Sequence, residues 1–221
     1  MKNLFVIYCF LLMSCSLAEV DKKTVPEWTK DAVMYEVNVR QFTPEGTFEA
    51  FAKHLPRIKE LGVDIIWFMP IHPIGEQNRK GSLGSYYSVK DYQAINPEFG
   101  TLEEFNALVK QIHEMGMKVI IDWVANHSAF DNVWIEDGNQ DWYTLDSLGK
   151  LQPPIGTDWW DVADLNYDNL EMQDAMIESM IFWLTTSDID GFRCDVADWV
   201  PVSFWENCRK ELDKVKDVFM L

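Results

Sequence analysis

The sequence has few of the residues that build metal and phosphate sites. Among 221 residues there are 4 cysteines and 4 histidines, with no CxxC and no HExxH, which excludes zinc-finger and zincin chemistry. The polar loop RKGSLGS at 79–85 lacks both the GxxxxGK spacing and a strand–helix setting, so a nucleotide-phosphate loop is excluded as well. No organic cofactor is implied. Positive charge is scarce too: 19 Lys and Arg stand against 36 Asp and Glu, a formal charge of −17. Such a chain repels phosphate backbones, so nucleic acid is not an expected partner, while a neutral ligand is indifferent to the charge.

Tryptophan, by contrast, is abundant. There are 10, and Trp123, Trp134, Trp142, Trp159, Trp160, Trp183, Trp199 and Trp205 crowd one stretch. Core packing accounts for most of them. Trp142, Trp159 and Trp160 lie in a polar loop, where a rigid apolar face suits stacking on a flat ligand.

The N-terminus reads as a targeting segment. Lys2 is a charged n-region and Leu4 to Met13 an apolar h-region, too short to cross a bilayer. Leu12-Met13-Ser14-Cys15 resembles a bacterial lipoprotein cleavage box, in which Cys15 becomes the lipidated first residue. Residues 1–20 are thus expected to be a signal peptide of an exported, cell-envelope lipoprotein, touching membrane only through its lipid. The alternative is cleavage after Ala18 and a soluble secreted protein. Cys194 and Cys208 are left, and two independent buried thiols are expected.

From residue 30 to 221, strand and helix patterns alternate. Ala32 to Phe42 reads as a strand. A helix follows over Phe48 to Leu61, kinked at Pro56 and closed by Gly62. Val63 to Ile74 is a near-continuous apolar run, as in a strand covered on both faces. Thr101 and Glu104 form a capping box for a second helix that Gly116 closes. Lys118 to Ala125 is the third strand, followed by an inserted loop subdomain over about 129–167. A helix near 169–187, a strand near 189–197, a helix capped by Ser203 and Glu206, and a strand opening at Val218 complete the pattern. Strict alternation implies a parallel α/β sheet, either an eight-unit barrel or an open doubly wound sheet.

Gly191, Arg193 and Asp195 fall on one strand face, with Phe192, Cys194 and Val196 on the other. A guanidinium beside a carboxylate favours the ionised form, and an oriented carboxylate is a good nucleophile toward an anomeric carbon. A buried ion pair that only fixes packing fits the spacing equally well.

Three ordered blocks separate these readings. Asp122-Trp123-Val124-Ala125-Asn126-His127 resembles the first conserved block of the α-amylase family of glycoside hydrolases, and Gly191-Phe192-Arg193-Cys194-Asp195 the second. Tyr87 to Tyr92, with Ala94 to Pro97 and Phe99-Gly100, resembles the segment after the family's second strand. The resemblance implies a (β/α)8 TIM barrel, truncated here after about four β/α units, and a retaining α-glycosidase acting on α-glucan or maltooligosaccharide. Asp195 would be the nucleophile and Arg193 its partner. His127 would bond to the sugar and Tyr87 would stack under it. Asn126 and Asp164 would be calcium ligands. Where the family often carries a Lys-His pair, this chain has Asp198-Trp199, so Trp199 is expected to supply stacking to the substrate instead. The family's proton-donating glutamate would lie beyond Leu221, which implies a chain that folds poorly and is inactive alone. Transglycosylases and isomerases of the family share these blocks. Two readings from other classes are a non-catalytic barrel that binds glucan or a partner, and a metal-assisted enzyme using Asp122 and His127.

Overall fold

The computed structural model describes residues 25–221. The expected signal segment over residues 1–20, with Cys15, lies outside the described residues. After a single turn at Glu27–Thr29 come β1 (Met34–Val37), α1 (Val39–Phe42), α2 (Phe48–Ala52), α3 (Leu55–Glu60) and β2 (Ile65–Phe68). Then follow α4 (Leu102–Glu114), β3 (Lys118–Trp123), β4 (His127–Ala129), α5 (Val133–Glu136) and β5 (Val162–Asp164). The chain continues through α6 (Leu170–Thr186), β6 (Gly191–Cys194), α7 (Val202–Leu212) and β7 (Phe219–Met220).

The main sheet has five strands in the order β1-β2-β3-β6-β7, every pair parallel. Spatial order follows chain order. A doubly wound sheet reverses its order at a switch point, so this winding is that of a barrel wall. Between β3 and α6 the chain leaves the sheet, and β4 and β5 form their own antiparallel pair.

The two faces of the strands differ. Ile66, Phe68, Val119, Ile121, Trp123, Phe192 and Cys194 join the buried core under the helices. Phe68 meets Phe48, Phe51 and Phe105 edge to face, with ring centroids 5.4 to 6.4 Å apart. Each such ring contributes roughly 1.5–3 kcal/mol by its burial. Trp67, Asp122 and Arg193 occupy the opposite face and meet one another there. The strands β6 and β7 approach so closely that a Cβ on Gly191 would lie 2.0 Å from the Phe219 carbonyl oxygen, so glycine is required there.

Several local expectations change. The first strand stops at Val37, because the Asn38 side chain accepts from the Gln41 N–H and caps a short helix. Pro56 does not kink one helix; it stands in the first turn of α3, where its missing N–H costs nothing. The run after Val63 is strand only to Phe68, with Ile74 bridging to Val89 beyond it. Thr101 and Glu104 do form a full capping box. Ser203 does not: α7 starts after Pro201 with no side-chain cap, which places Ser203 inside the first turn. Cys194 and Cys208 are free and buried. Among the described residues no helix is long and apolar enough to cross a membrane.

Candidate active site

Parallel pairing of β3 with β6 sets Asp122 beside Arg193. The Arg193 Nη1 donates to Asp122 Oδ1 at 3.0 Å and to Asp195 Oδ1 at 2.7 Å. One guanidinium therefore serves two carboxyls. Asp122 is fully buried and also accepts from Trp67 Nε1 at 3.2 Å and from the Tyr87 hydroxyl at 3.3 Å. Burial lifts its carboxyl to about 7, against the opposing charge and hydrogen bonds of Arg193. Burial likewise raises the Tyr87 hydroxyl, helped by the charges of Asp122 and Asp195.

The strand ends at Cys194, and the Asp195 N–H still bonds to the Trp123 carbonyl at 2.9 Å. Val196 then turns the chain with φ 41° and ψ 44°. A β-branched residue in the left-handed region is strained by about 1–3 kcal/mol, a cost found at functional sites. Here it follows directly on Asp195.

A cavity of about 280 Å³ opens in front of these groups, lined among others by Lys80, Tyr87, His127, Trp159, Asp161 and Asp195. The segment that carries His127 is pinned from below. The Tyr92 hydroxyl lies 2.8 Å from the carbonyls of both Val124 and His127, and the Tyr167 hydroxyl donates to that of Ala125 at 2.6 Å. Burial lowers the His127 ring to about 4, so it is neutral at neutral pH and suits a neutral hydroxyl partner. Both carboxylates of the cavity touch a cation: Asp195 has Arg193, which it shares with Asp122, and Asp161 has Lys80 at 2.9 Å. The site is thus locally balanced within a strongly acidic chain.

The structure gathers Asp195, Arg193, Tyr87 and His127 at one place. Trp199 is half exposed and stacks on Trp159, with centroids 5.3 Å apart and planes at 15°. It reaches the cavity through Trp159, whose ring also meets His127 at 5.4 Å. Trp160 is exposed beside Lys80. Trp142 packs against Trp134 at 5.3 Å and the core, away from the ligand-stacking role that its loop position suggested.

Asn126 and Asp164 come to adjoining positions of the β4–β5 pair, where His127 faces Asp164. The Asn126 amide lies 3.1 Å from His127 Nδ1, and burial raises Asp164, opposed by a hydrogen bond from Thr144. Two side chains supply only part of the six to eight oxygens that calcium takes. Among the described residues no three His, Cys, Asp or Glu side chains form a metal-holding group. The metal-assisted reading fails on geometry, because Arg193, Trp67 and Tyr87 already occupy the Asp122 carboxyl.

Sequence reasoning missed the parts played by Asp122, Lys80 and Asp161. Asp122 carried a signal, a carboxylate inside the apolar run KVIIDWVA. Lys80 and Asp161 lie in loops without any periodic pattern.

Comparison with known proteins bears on this arrangement. A family model described as "Alpha amylase, catalytic domain" matches residues 16–218. A trehalose synthase of Pimelobacter sp. (strain R48) is 35% identical over 87% of this chain and 39% of its own length. A maltogenic alpha-amylase of Bacillus acidopullulyticus is 30% identical over 92% of this chain and 40% of its own. Among solved structures, an alpha-amylase from Lactobacillus plantarum superposes with a TM-score of 0.80 at 44% identity, covering 85% of this chain and 43% of that one. A noncanonic maltogenic alpha-amylase from Thermotoga neapolitana gives 0.81 at 39% identity, covering 87% and 45%. The chain spans less than half the length of each of these relatives.

Proposed function

The chain belongs to the α-amylase catalytic-domain family, with its TIM-barrel type of fold, and from that premise we propose that it carries the nucleophile side of a retaining α-glycosidase site. The substrate class is α-linked glucan, of the kind taken by amylase, neopullulanase or maltodextrin-degrading enzymes. The observation that carries the proposal is the 2.7 Å bond from Arg193 to Asp195 at the mouth of a cavity with Tyr87 and His127 in its wall.

Asp195 Oδ attacks the anomeric carbon, and the bond to the leaving oxygen breaks. The glycosyl ester that results is then hydrolysed by water. Arg193 orients the attacking carboxylate, the neutral His127 bonds to a sugar hydroxyl, and the Trp159–Trp199 stack offers the flat face that a pyranose ring covers. The leaving oxygen needs a proton from a second carboxyl. Asp161 is held by Lys80 and Asp122 by Arg193, so we assign the donor to a residue outside the described ones. The 221 residues alone are accordingly proposed to be inactive on starch or maltodextrin. Calcium at Asn126 and Asp164, completed by backbone oxygens and water, and export through a lipid on Cys15 belong to the same proposal; neither enters the chemistry.

Stereochemistry tests it. In a retaining site the two carboxyls stand about 5–5.5 Å apart, too close for direct attack by water. Protein expressed from the full coding sequence should release the α-anomer first, followed by NMR on fresh product. Initial release of the β-anomer would contradict the nucleophile assignment. Saturable binding of maltooligosaccharide without any turnover would favour a glucan-binding barrel.

A further inference from the structure

Lys80 lies in the loop after β2, and that loop is folded hard against the inserted segment. Arg79 donates from Nε to the Gly75 carbonyl at 2.8 Å and from Nη2 to that of Ile74 at 3.0 Å. A Cβ on Gly75 would stand 2.3 Å from the Ala129 Cβ, so the loop backbone touches β4 directly. The Ser88 hydroxyl donates to the Asp161 carbonyl at 2.9 Å. These contacts deliver the Lys80 ammonium to the cavity wall, 2.9 Å from Asp161 Oδ1 and 4.7 Å from the centre of the Trp160 ring.

The two partners are not equivalent. The Asp161 side chain is 4% exposed and that of Lys80 34%. A carboxylate so deeply buried needs its cation, which fixes the ammonium in place. An ammonium has three N–H donors. One is directed at Asp161, the ammonium also lies over the Trp160 ring, and Lys80 lines the cavity that Asp195 shares. The pair carries no net charge, so a neutral hydroxyl approaches it without Coulomb penalty.

We infer that Lys80 is a specificity-determining residue that hydrogen-bonds a sugar hydroxyl in this cavity, with Asp161 as its positioning residue. The inference rests on the α-glucan reading above. A donor built to meet one hydroxyl matters most when the ligand makes few other contacts, so short substrates depend on it more than long ones.

The test uses protein expressed from the full coding sequence, with maltotriose and maltoheptaose as probes. Lys80→Met should raise KM for maltotriose roughly 10- to 100-fold, the size expected for a hydrogen bond to a charged group. KM for maltoheptaose should rise less, and kcat should change little for either. Asp161→Asn should shift the same ratio by a smaller factor, and Lys80→Arg should restore most of the maltotriose KM. Lys80→Arg also keeps the loop paired should Lys80→Met fail to fold; the inference then stands on the Asp161→Asn ratio. A lower Tm with an unchanged maltotriose-to-maltoheptaose ratio would mean that the pair is only a latch between loops, and the inference is overturned. Wild-type protein that neither binds nor cleaves either sugar overturns the α-glucan reading itself, and the inference with it.

Discussion

Strand β6 is flanked by two ion clusters, and they behave oppositely. At its N-terminal end Asp190 accepts from the Val119 N–H at 3.0 Å, from His113 Nε2 at 2.6 Å and from Lys118 Nζ at 2.9 Å, with Lys216 at 3.7 Å. Burial alone would lift this carboxyl, yet the bonds from His113, Val119 and Lys118 together hold it below the ordinary carboxylate range. At the C-terminal end Arg193 is divided between Asp122 and Asp195, and Asp122 is lifted to about 7. The first cluster gathers three basic side chains around one carboxyl. The second shares one guanidinium between two carboxyls, beside a cavity and a strained Val196. Several cations around one carboxylate hold it in place; one cation divided between two leaves Asp195 open toward the cavity. Barrel folds divide their two faces in this way, stability at the N-terminal end of the strands and chemistry at the C-terminal end.

Substitution at each end should separate the two roles. Asp195→Asn keeps shape and removes the attacking charge, so turnover should drop on the order of 10⁴-fold or more while maltooligosaccharide binding survives. Steady-state kinetics and calorimetry on protein from the full coding sequence measure both, and near-normal turnover would sink the assignment. Asp190→Ala should do the reverse. Removing one partner from a buried ionic group costs roughly 3–5 kcal/mol of stability, and kcat of the folded fraction should be unchanged. Denaturant titration checks the first number. A loss of kcat with stability intact would erase the distinction between the two ends.

The sequence made part of this contrast readable. The alternation of Phe192 and Cys194 with Gly191 and Arg193 predicts which side of β6 meets helices, and the core follows it. Periodicity works there because one face is apolar throughout. It fails where a single side chain decides the backbone: Asn38 ends β1 by capping, and Pro201 sets the start of α7 ahead of Ser203. The winding of the sheet was open between two architectures, since alternation fixes element type but not spatial order. Asp195, Arg193, Tyr87 and His127 were readable because local motifs carry them. Asp122 is defined by partners 35 to 71 residues away, Tyr87 at 35, Trp67 at 55 and Arg193 at 71, and no local pattern encodes such distances.

The subtlest break in the comparison concerns acid and base. Asp122 has a folded value of about 7 against an ordinary 3.8. Between those values the native state holds a proton that the unfolded chain releases, so this group's contribution to stability falls as pH rises through the window. Asp190 has the opposite sign and a lower window: its contribution is present above the ordinary value and is lost only as pH falls through its depressed one. From pH 5 to pH 8 the two are therefore separable, since Asp190 is constant there and Asp122 is not. Asp122→Asn should shift Tm by a fixed amount from the lost Arg193 bond, which cancels when two pH values are compared. What does not cancel is the slope. Tm at pH 8 minus Tm at pH 5 should be more positive in Asp122→Asn than in the wild type. Parallel curves for Asp122→Asn and wild type would show that Arg193, Trp67 and Tyr87 hold Asp122 as firmly as His113 and Lys118 hold Asp190, and the two ends of β6 would then be electrostatically alike.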